Sequence, residues 1–342
     1  MKKTISIGSV ILIAAAMAAC SGDGGNADPS KGNGGGFVEK TKSYCNPVFN
    51  QDSPDPSVMR GDDGNFYAFT TGGLRRSEDL VTWSALKDPF ESRPGWSDIC
   101  HDVWAMDVNK IGDKYVLYYA LSKWGEEHKN GLGVAVADNI AGPYKDQGKL
   151  FTSDEIGVQN SIDPHYFVDD DGKQYLSWGS FSGLYAIELS PDGLSVKEGA
   201  EKKQLAGNAY EGIMIHKHDG KYYMFASIGS CCEGVNSSYT TVVGRADNYF
   251  GPYVNKAGKT MLENNHEVLI AGSDAVKGPG HNSEIITDDN GQDWILYHGY
   301  LTSTPSLGRV LFMDPVSWKD GWPSVKESKP CMIGQEAPVF KK

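Results

Sequence analysis

Five copies of one hairpin pattern set the narrowest limit on how this chain can fold. They are "DPSVMRGDDGNFYAFTT" from Asp55, "VWAMDVNKIGDKYVLYYALS" from Val103, "IDPHYFVDDDGKQYLSWGS" from Ile162, "YEGIMIHKHDGKYYMFASIGS" from Tyr210 and "HNSEIITDDNGQDWILYHGY" from His281. Each holds an alternating strand, a polar bend with glycine and a second strand heavy in aromatics. The bend glycines are Gly64, Gly112, Gly172, Gly220 and Gly291, at spacings of 48, 60, 48 and 71 residues. Three residues after each comes an aromatic: Tyr67, Tyr115, Tyr175, Tyr223 and Trp294. Periods of this size are the sequence signature of propeller blades.

The stretches between hairpins supply further strands. "LGVAVADN" and "YKDQGKLF" read as the third and fourth strands of the second unit, "TTVVGRADN" and "GKTMLEN" as those of the fourth. "RVLFMDPVSW" follows the fifth hairpin. Four strands in each of five units predict an all-β, five-bladed β-propeller. A β-sandwich or jelly roll is the alternative, but it would not demand such regular hairpins. The abundance of Tyr (17), Phe (12), Trp (8) and Gly (41) agrees with an all-β chain.

The first 20 residues stand apart. "MKK" is a basic start, "ISIGSVILIAAAMAA" is apolar, and Cys20 follows small residues, as in a lipoprotein-type signal peptide whose cysteine is acylated. Residues 21–43, rich in Gly, Ser, Asn and Asp, read as a flexible linker, which leaves 44–342 for the propeller domain. No other stretch is apolar and long enough to span a bilayer. Cys45, Cys100, Cys231, Cys232 and Cys331 remain, an odd set without CxxC spacing, which argues against a zinc site. The adjacent Cys231 and Cys232 are read as structural, with a strained vicinal disulfide as the alternative. A net charge of -12 argues against nucleic acid as a partner.

With the units set in register on their glycines, Asp55, Asp163 and Glu211 occupy one phase, nine residues before the bend. At that phase the second unit has Val103, beside Trp104, and the fifth has Asn282, beside His281. In a propeller the first strand of each blade lines the axis, so these positions converge at one mouth of the channel. Like charges held close raise at least one pKa. A raised carboxyl beside an ionised one suits paired acid and base work, including glycoside cleavage. The alternative is that the acids cap strand ends or hold a cation, which for carboxylates alone suits Ca²⁺. Asp62, Asp63, Asp169, Asp170, Asp171 and Asp289 sit at bends and are read as turn formers.

The units, the "DPSV" opening, "SIDPHYFVDDDGKQYLSWGSF" and the Glu211-Gly212 unit resemble family 43 glycoside hydrolases, from about Cys45 to the C-terminus. The resemblance implies a five-bladed propeller that cleaves arabinose- or xylose-containing glycans with inversion. It implies Asp55 as the base, Asp163 as the residue that positions the acid and tunes its pKa, and Glu211 as the general acid. "GHNS", residues 280–283, is similar to the segment whose histidine helps hold an axial Ca²⁺ in endo-arabinanase members, here His281; a satisfied core histidine is the alternative. "CCEGVNSSYTTVVGRADNYFGPY" also resembles that branch, whereas "WAMDV" carries Met where a Pro is common.

The expectation is an endo-1,5-α-L-arabinanase acting on plant cell-wall polysaccharide or oligosaccharide. An exo-acting α-L-arabinofuranosidase or a β-xylosidase is the alternative, decided by whether the inserts at 122–131, 229–240 and 299–308 close one end of the cleft. A non-catalytic glycan-binding surface lipoprotein is the reading from outside the class. Trp104 is expected to wall a sugar subsite, Trp124 to lie in a loop, and His298 to be core. Inversion requires the Asp55 and Glu211 carboxyls roughly 6.5–9.5 Å apart. A monomer is expected, touching a membrane only through the lipid on Cys20, at the cell surface or in the periplasm.

Overall fold

The computed structural model describes residues 42–341, so the leader and most of the linker lie outside the described residues. Five sheets follow one another along the chain. Each has its first strand paired only with its second, and so on outward, which is the order a hairpin repeat dictates when every connection is short. The innermost strands of blades 1 to 4 are Ser57–Arg60, Asp102–Ile111, His165–Val168 and Glu211–His218. That of blade 5 is split: Val276–Gly280 and Ile286–Thr287 pair with the two halves of Asp293–Leu301. Blade 5 therefore has five strand segments where four were expected, because the chain leaves the ladder around His281. The sole α-helix among the described residues is Ser153–Ile156.

One expected strand is displaced. "GKTMLEN" contains a 3-10 turn, Met261–Glu263, with the Thr260 hydroxyl accepting from the Leu262 N–H, and the fourth strand of blade 4 is Glu267–Ile270. Met261 is fully buried beneath Gly244, where a Cβ would lie 2.3 Å from its sulfur. Packing of that side chain outweighs the strand pattern of its neighbours.

The core consists of layers between blades. Tyr67 and Tyr115 pack between blades 1 and 2, Tyr175 between 3 and 4, Tyr223 between 4 and 5, and Trp294 between 5 and 1. The aromatic three residues past each bend is thus the large apolar body that fills the wedge between neighbouring sheets. The turn acids behave as expected: Asp62, Asp63, Asp170, Asp171 and Asp289 are exposed and Asp169 half-buried.

The ring is closed by the segment before blade 1. Val48 N–H donates to Leu311 O (2.9 Å), Leu311 N–H to Phe49 O (3.1 Å) and Ser53 N–H to Arg309 O (2.8 Å). This covers the edge of Val310–Lys319 that the short strand Trp322–Ser324 leaves bare. Outside it, Ser43–Tyr44 pairs with Gln335–Glu336, so Ser43, the last residue of the stretch read as linker, is in a strand. Asn46 locks the closure: its amide donates to Met313 O (2.8 Å) and Cys331 O (3.1 Å), and its oxygen accepts from Met313 N–H (2.8 Å). Asn46→Ala leaves a buried N–H unpaired, so unfolding free energy should fall by about 1–3 kcal/mol, seen as a lower urea midpoint at unchanged slope.

Candidate active site

Each innermost strand is approached through a residue in the left-handed region: Asp55 (φ 54°), Ala105 (42°), Asp163 (58°), Gly212 (61°) and His281 (46°). Four of the five are not glycine, so the strain is carried by surrounding bonds. The preceding blade holds the N–H of most of them. Thr71 Oγ1 accepts from Ala105 (2.8 Å), Asp163 Oδ2 from Gly212 (3.0 Å), Ser227 Oγ from His281 (2.8 Å) and His298 Nδ1 from Asp55 (3.0 Å). The sharp turn aims the side chains of Asp55, Asp163 and His281 at the axis. Glu211 precedes the turn of its blade. Gly212 is required there, since a Cβ would come within 3.0 Å of the His281 ring.

The structure therefore brings Asp55, Asp163, Glu211 and His281 together. It also revises the register of three blades; in blade 4 the residue equivalent to Asp55 and Asp163 is Gly212, one past Glu211. In blade 2 the equivalent residue is Ala105 rather than Val103, because a bulge between Trp104 and Asp107 adds length to the hairpin. In blade 5 it is His281 rather than Asn282.

Asp55 is a buried anion. Burial alone would raise its pKa, but the Arg309 guanidinium (3.4 Å), His281 Nδ1 (3.3 Å) and the nearby His298 hold its carboxyl well below the usual carboxylate range. Thr71 Oγ1 donates to its other oxygen (2.7 Å). Glu211 is raised, chiefly by burial and against hydrogen bonds from Ser180 Oγ (2.6 Å) and the Tyr239 hydroxyl. Asp163 is pushed up to about 7 by burial, with the Glu211 and Asp55 charges adding to it. Asp163 thus keeps a proton to a pH at which an exposed aspartate would have lost it, and Glu211 is shifted in the same direction. His281 is pushed up to about 9: burial would strip its proton, but the charges of Asp55 and Asp163 hold it.

Sequence reasoning missed several of these partners. His298, expected in the core, contacts Asp55; burial holds its imidazole neutral, with Nδ1 accepting and Nε2 left without a partner. Thr71 and Ser180 are the last residues of their hairpin repeats, just past the second strands, and Arg309 and Tyr239 lie beyond the hairpins altogether. The inserts rise at the mouth that holds the acids, since the second strands end where the first begin: Asp102 faces Ser122, Glu211 faces Ser227 and Val276 faces Leu301. Trp104 immediately precedes Ala105, is half-buried, and packs at 5.3 Å against Trp124, which is 69% exposed. Cys231 and Cys232, in the second insert, are free thiols rather than a vicinal disulfide.

Below the acids lies a small cavity of about 20 Å³ lined in part by Asp107, His165, His281, Asn282 and Glu284. Asn282 Oδ1 is buried there without a hydrogen-bond partner. An orphaned carbonyl oxygen among carboxylates suits a hard cation such as Ca²⁺.

Residues 44–323 match Glycosyl hydrolases family 43. The chain belongs to this family. It is 32% identical over 289 residues to the extracellular endo-α-(1→5)-L-arabinanase 1 of Bacillus subtilis, covering 79% of this chain and 86% of that one. It is 31% identical over 308 residues to the extracellular exo-α-(1→5)-L-arabinofuranosidase ArbA of Cellvibrio japonicus, covering 81% and 87%. Among solved structures, the Cellvibrio cellulosa α-L-arabinanase complexed with arabinohexaose superposes with a TM-score of 0.74 at 30% identity, covering 81% of this chain and 96% of that one. As a family 43 glycosyl hydrolase, the chain carries its buried acids on the five-bladed framework expected from its repeats.

The raised acids make stability depend on pH. A carboxyl whose folded pKa exceeds its unfolded value contributes fully below the unfolded value, about 4, and that contribution is lost as pH rises through the folded one. For Asp163 the window therefore runs from about 4 to about 7. Asp163→Asn keeps the acceptor for Gly212 without the buried charge. Its melting temperature relative to wild type should rise between about pH 5 and about pH 8; a difference that stays flat would count against the retained proton.

Proposed function

We propose that the protein is an inverting endo-1,5-α-L-arabinanase that cleaves α-L-arabinofuranosyl linkages in arabinan. The observation that carries this reading is the opposite treatment of two acids in one pit: Asp55 held as an anion, Glu211 held toward its protonated form. That division of labour is what a base and an acid need at the same pH. Family membership and the arabinan-cleaving names of the relatives supply the substrate class.

In the mechanism, water attacks the anomeric carbon and gives its proton to an Asp55 oxygen. The C–O bond breaks, and the departing glycosidic oxygen takes the proton of Glu211. Arg309 and His281 keep Asp55 ionised, while Ser180 and Tyr239 fix the Glu211 carboxyl in place. Asp163 is a positioning residue, gripping the Gly212 N–H next to Glu211, while burial and the Asp55 charge raise the Glu211 pKa. The Trp104–Trp124 pair offers aromatic faces for the apolar faces of furanose rings bound along the cleft.

Ca²⁺ is proposed at the axis, held by the orphaned Asn282 oxygen and by His281, whose imidazole would shed its extra proton as the dication binds, with Asp107 and Glu284 supplying negative charge. Bound there it would stabilise negative charge in the pit electrostatically. Export of the chain agrees with relatives named extracellular. The proposal further places a lipid on Cys20 as the membrane contact of a monomer, with plant cell-wall polysaccharide or oligosaccharide as its partner.

Asp55→Ala and Glu211→Ala should each lower kcat on linear 1,5-arabinan by roughly 10³-fold or more while leaving the fold intact; wild-type-like turnover in either would remove the assignment. Fresh product should carry the inverted anomer by NMR. Oligosaccharides should appear before arabinose; arabinose alone from the outset would favour the exo-acting α-L-arabinofuranosidase, and cleavage of an aryl xyloside in preference would favour the β-xylosidase. Trp124→Ala should raise KM on the polymer severalfold with little change in kcat, because it removes stacking that ground and transition states share.

A further inference from the structure

The innermost strand of blade 4 begins with Glu211 and ends with His218. Eight extended residues advance about 23 Å, so its end lies at the mouth opposite the catalytic pit. His216 and His218 stand two residues apart and project from the same side of the strand. Beside them Asp293 opens the second strand of blade 5 and is buried. One ligand-capable atom from each of His216, His218 and Asp293 lies within 4.8 Å of the others.

Trp318 ties the three together. Its indole lies parallel over His218, with centroids 3.8 Å apart and 5° between planes, and over His216 at 5.9 Å and 25°. Its Nε1–H donates to Asp293 Oδ2 (2.7 Å), while Thr287 Oγ1 donates to Oδ1 (2.5 Å). One side chain thus sets the plane of an imidazole and the orientation of a carboxylate, as the outer residues of metal sites do. Each carboxylate oxygen keeps a second lone pair. The His218 ring meets an exposed carboxylate, Asp219 Oδ2, at 3.5 Å. Burial keeps the His216 imidazole neutral, pushed down to about 4, the form in which imidazole binds metals.

We propose that His216, His218 and Asp293 form a binding site for a zinc-type transition-metal dication that clips blade 4 to blade 5. Two imidazoles and a carboxylate leave a fourth position for water, a donor set that zinc, cobalt and nickel accept and calcium does not favour. The site is separate from the axial cavity and takes no part in glycan cleavage. It reaches across an inter-blade layer, so a bound metal stabilises the ring by mass action.

The test uses the full folded chain, stripped of metal with a chelator and dialysed. Zn²⁺ should bind at one ion per chain by calorimetry and raise the melting temperature by roughly 5 °C at a hundredfold excess over the dissociation constant. Co²⁺ should give visible ligand-field absorption and shift the ring signals of His216 and His218, alone among the eight histidines, by NMR. His218→Gln should weaken Zn²⁺ binding at least tenfold while activity on arabinan without added metal is unchanged. Binding that is undiminished in folded His218→Gln overturns the proposal, as does Co²⁺ shifting His165 or His281 in place of the pair. The NMR measurement decides on wild-type protein if the variant does not fold. Failure of either arm leaves the arabinanase reading untouched, because none of the three residues lies in the catalytic pit.

Discussion

Bonds between neighbouring blades around the axis are the constraint on which the site depends. Residues with side chains would ordinarily avoid left-handed backbone, yet Asp55, Ala105, Asp163 and His281 all adopt it. The partners on neighbouring blades hold them there. One layer deeper the same logic recurs: Glu284 accepts from Ser57 Oγ (2.9 Å) and Val58 N–H (2.6 Å), and Asp107 from Tyr166 N–H (2.8 Å). Glu284 is pushed up to about 8 by burial and the Asp107 charge. The axis is therefore a stack of polar contacts surrounded by apolar layers. It fixes the angle at which blades 1, 3 and 4 present their acids.

The same framework gives chemically identical groups different protonation states. Asp55 faces a guanidinium and an imidazolium, whereas Asp163 and Glu211 face other carboxylates and neutral donors. Most of these partners come from a neighbouring blade; the exceptions are Thr71, just past the second strand of Asp55's own blade, and Tyr239, just before the third strand of Glu211's own blade. Ring geometry, more than local sequence, sets the electrostatics.

The hairpin repeat made the fold and the three acids legible because a bend glycine and its following aromatic recur at fixed phase. What fixed phase could not reveal was set by irregularities. The bulge after Trp104 and the break at His281 shifted two blades by a residue or two. Burial of Met261 turned an expected strand into a 3-10 turn. Arg309 and Tyr239 reach the site from segments with no counterpart in other blades, so no internal comparison points to them; His298 stands seven residues past its bend glycine, the phase of Thr71 and Ser227, which accept the corresponding N–H groups. His298 bears the same aromatic-rich environment as core residues and differs only in what its Nδ1 meets.

The segment that seals the ring carries a kinetic consequence. Asn46 and Met313 are 267 positions apart, and the edge they share is among the last to be made. The opening residues of the domain must stay unpaired while four blades assemble, exposing an uncovered sheet margin until the final blade arrives to receive them. Loop closure over such a separation is slow, so biosynthesis of this ring ends where its sequence begins.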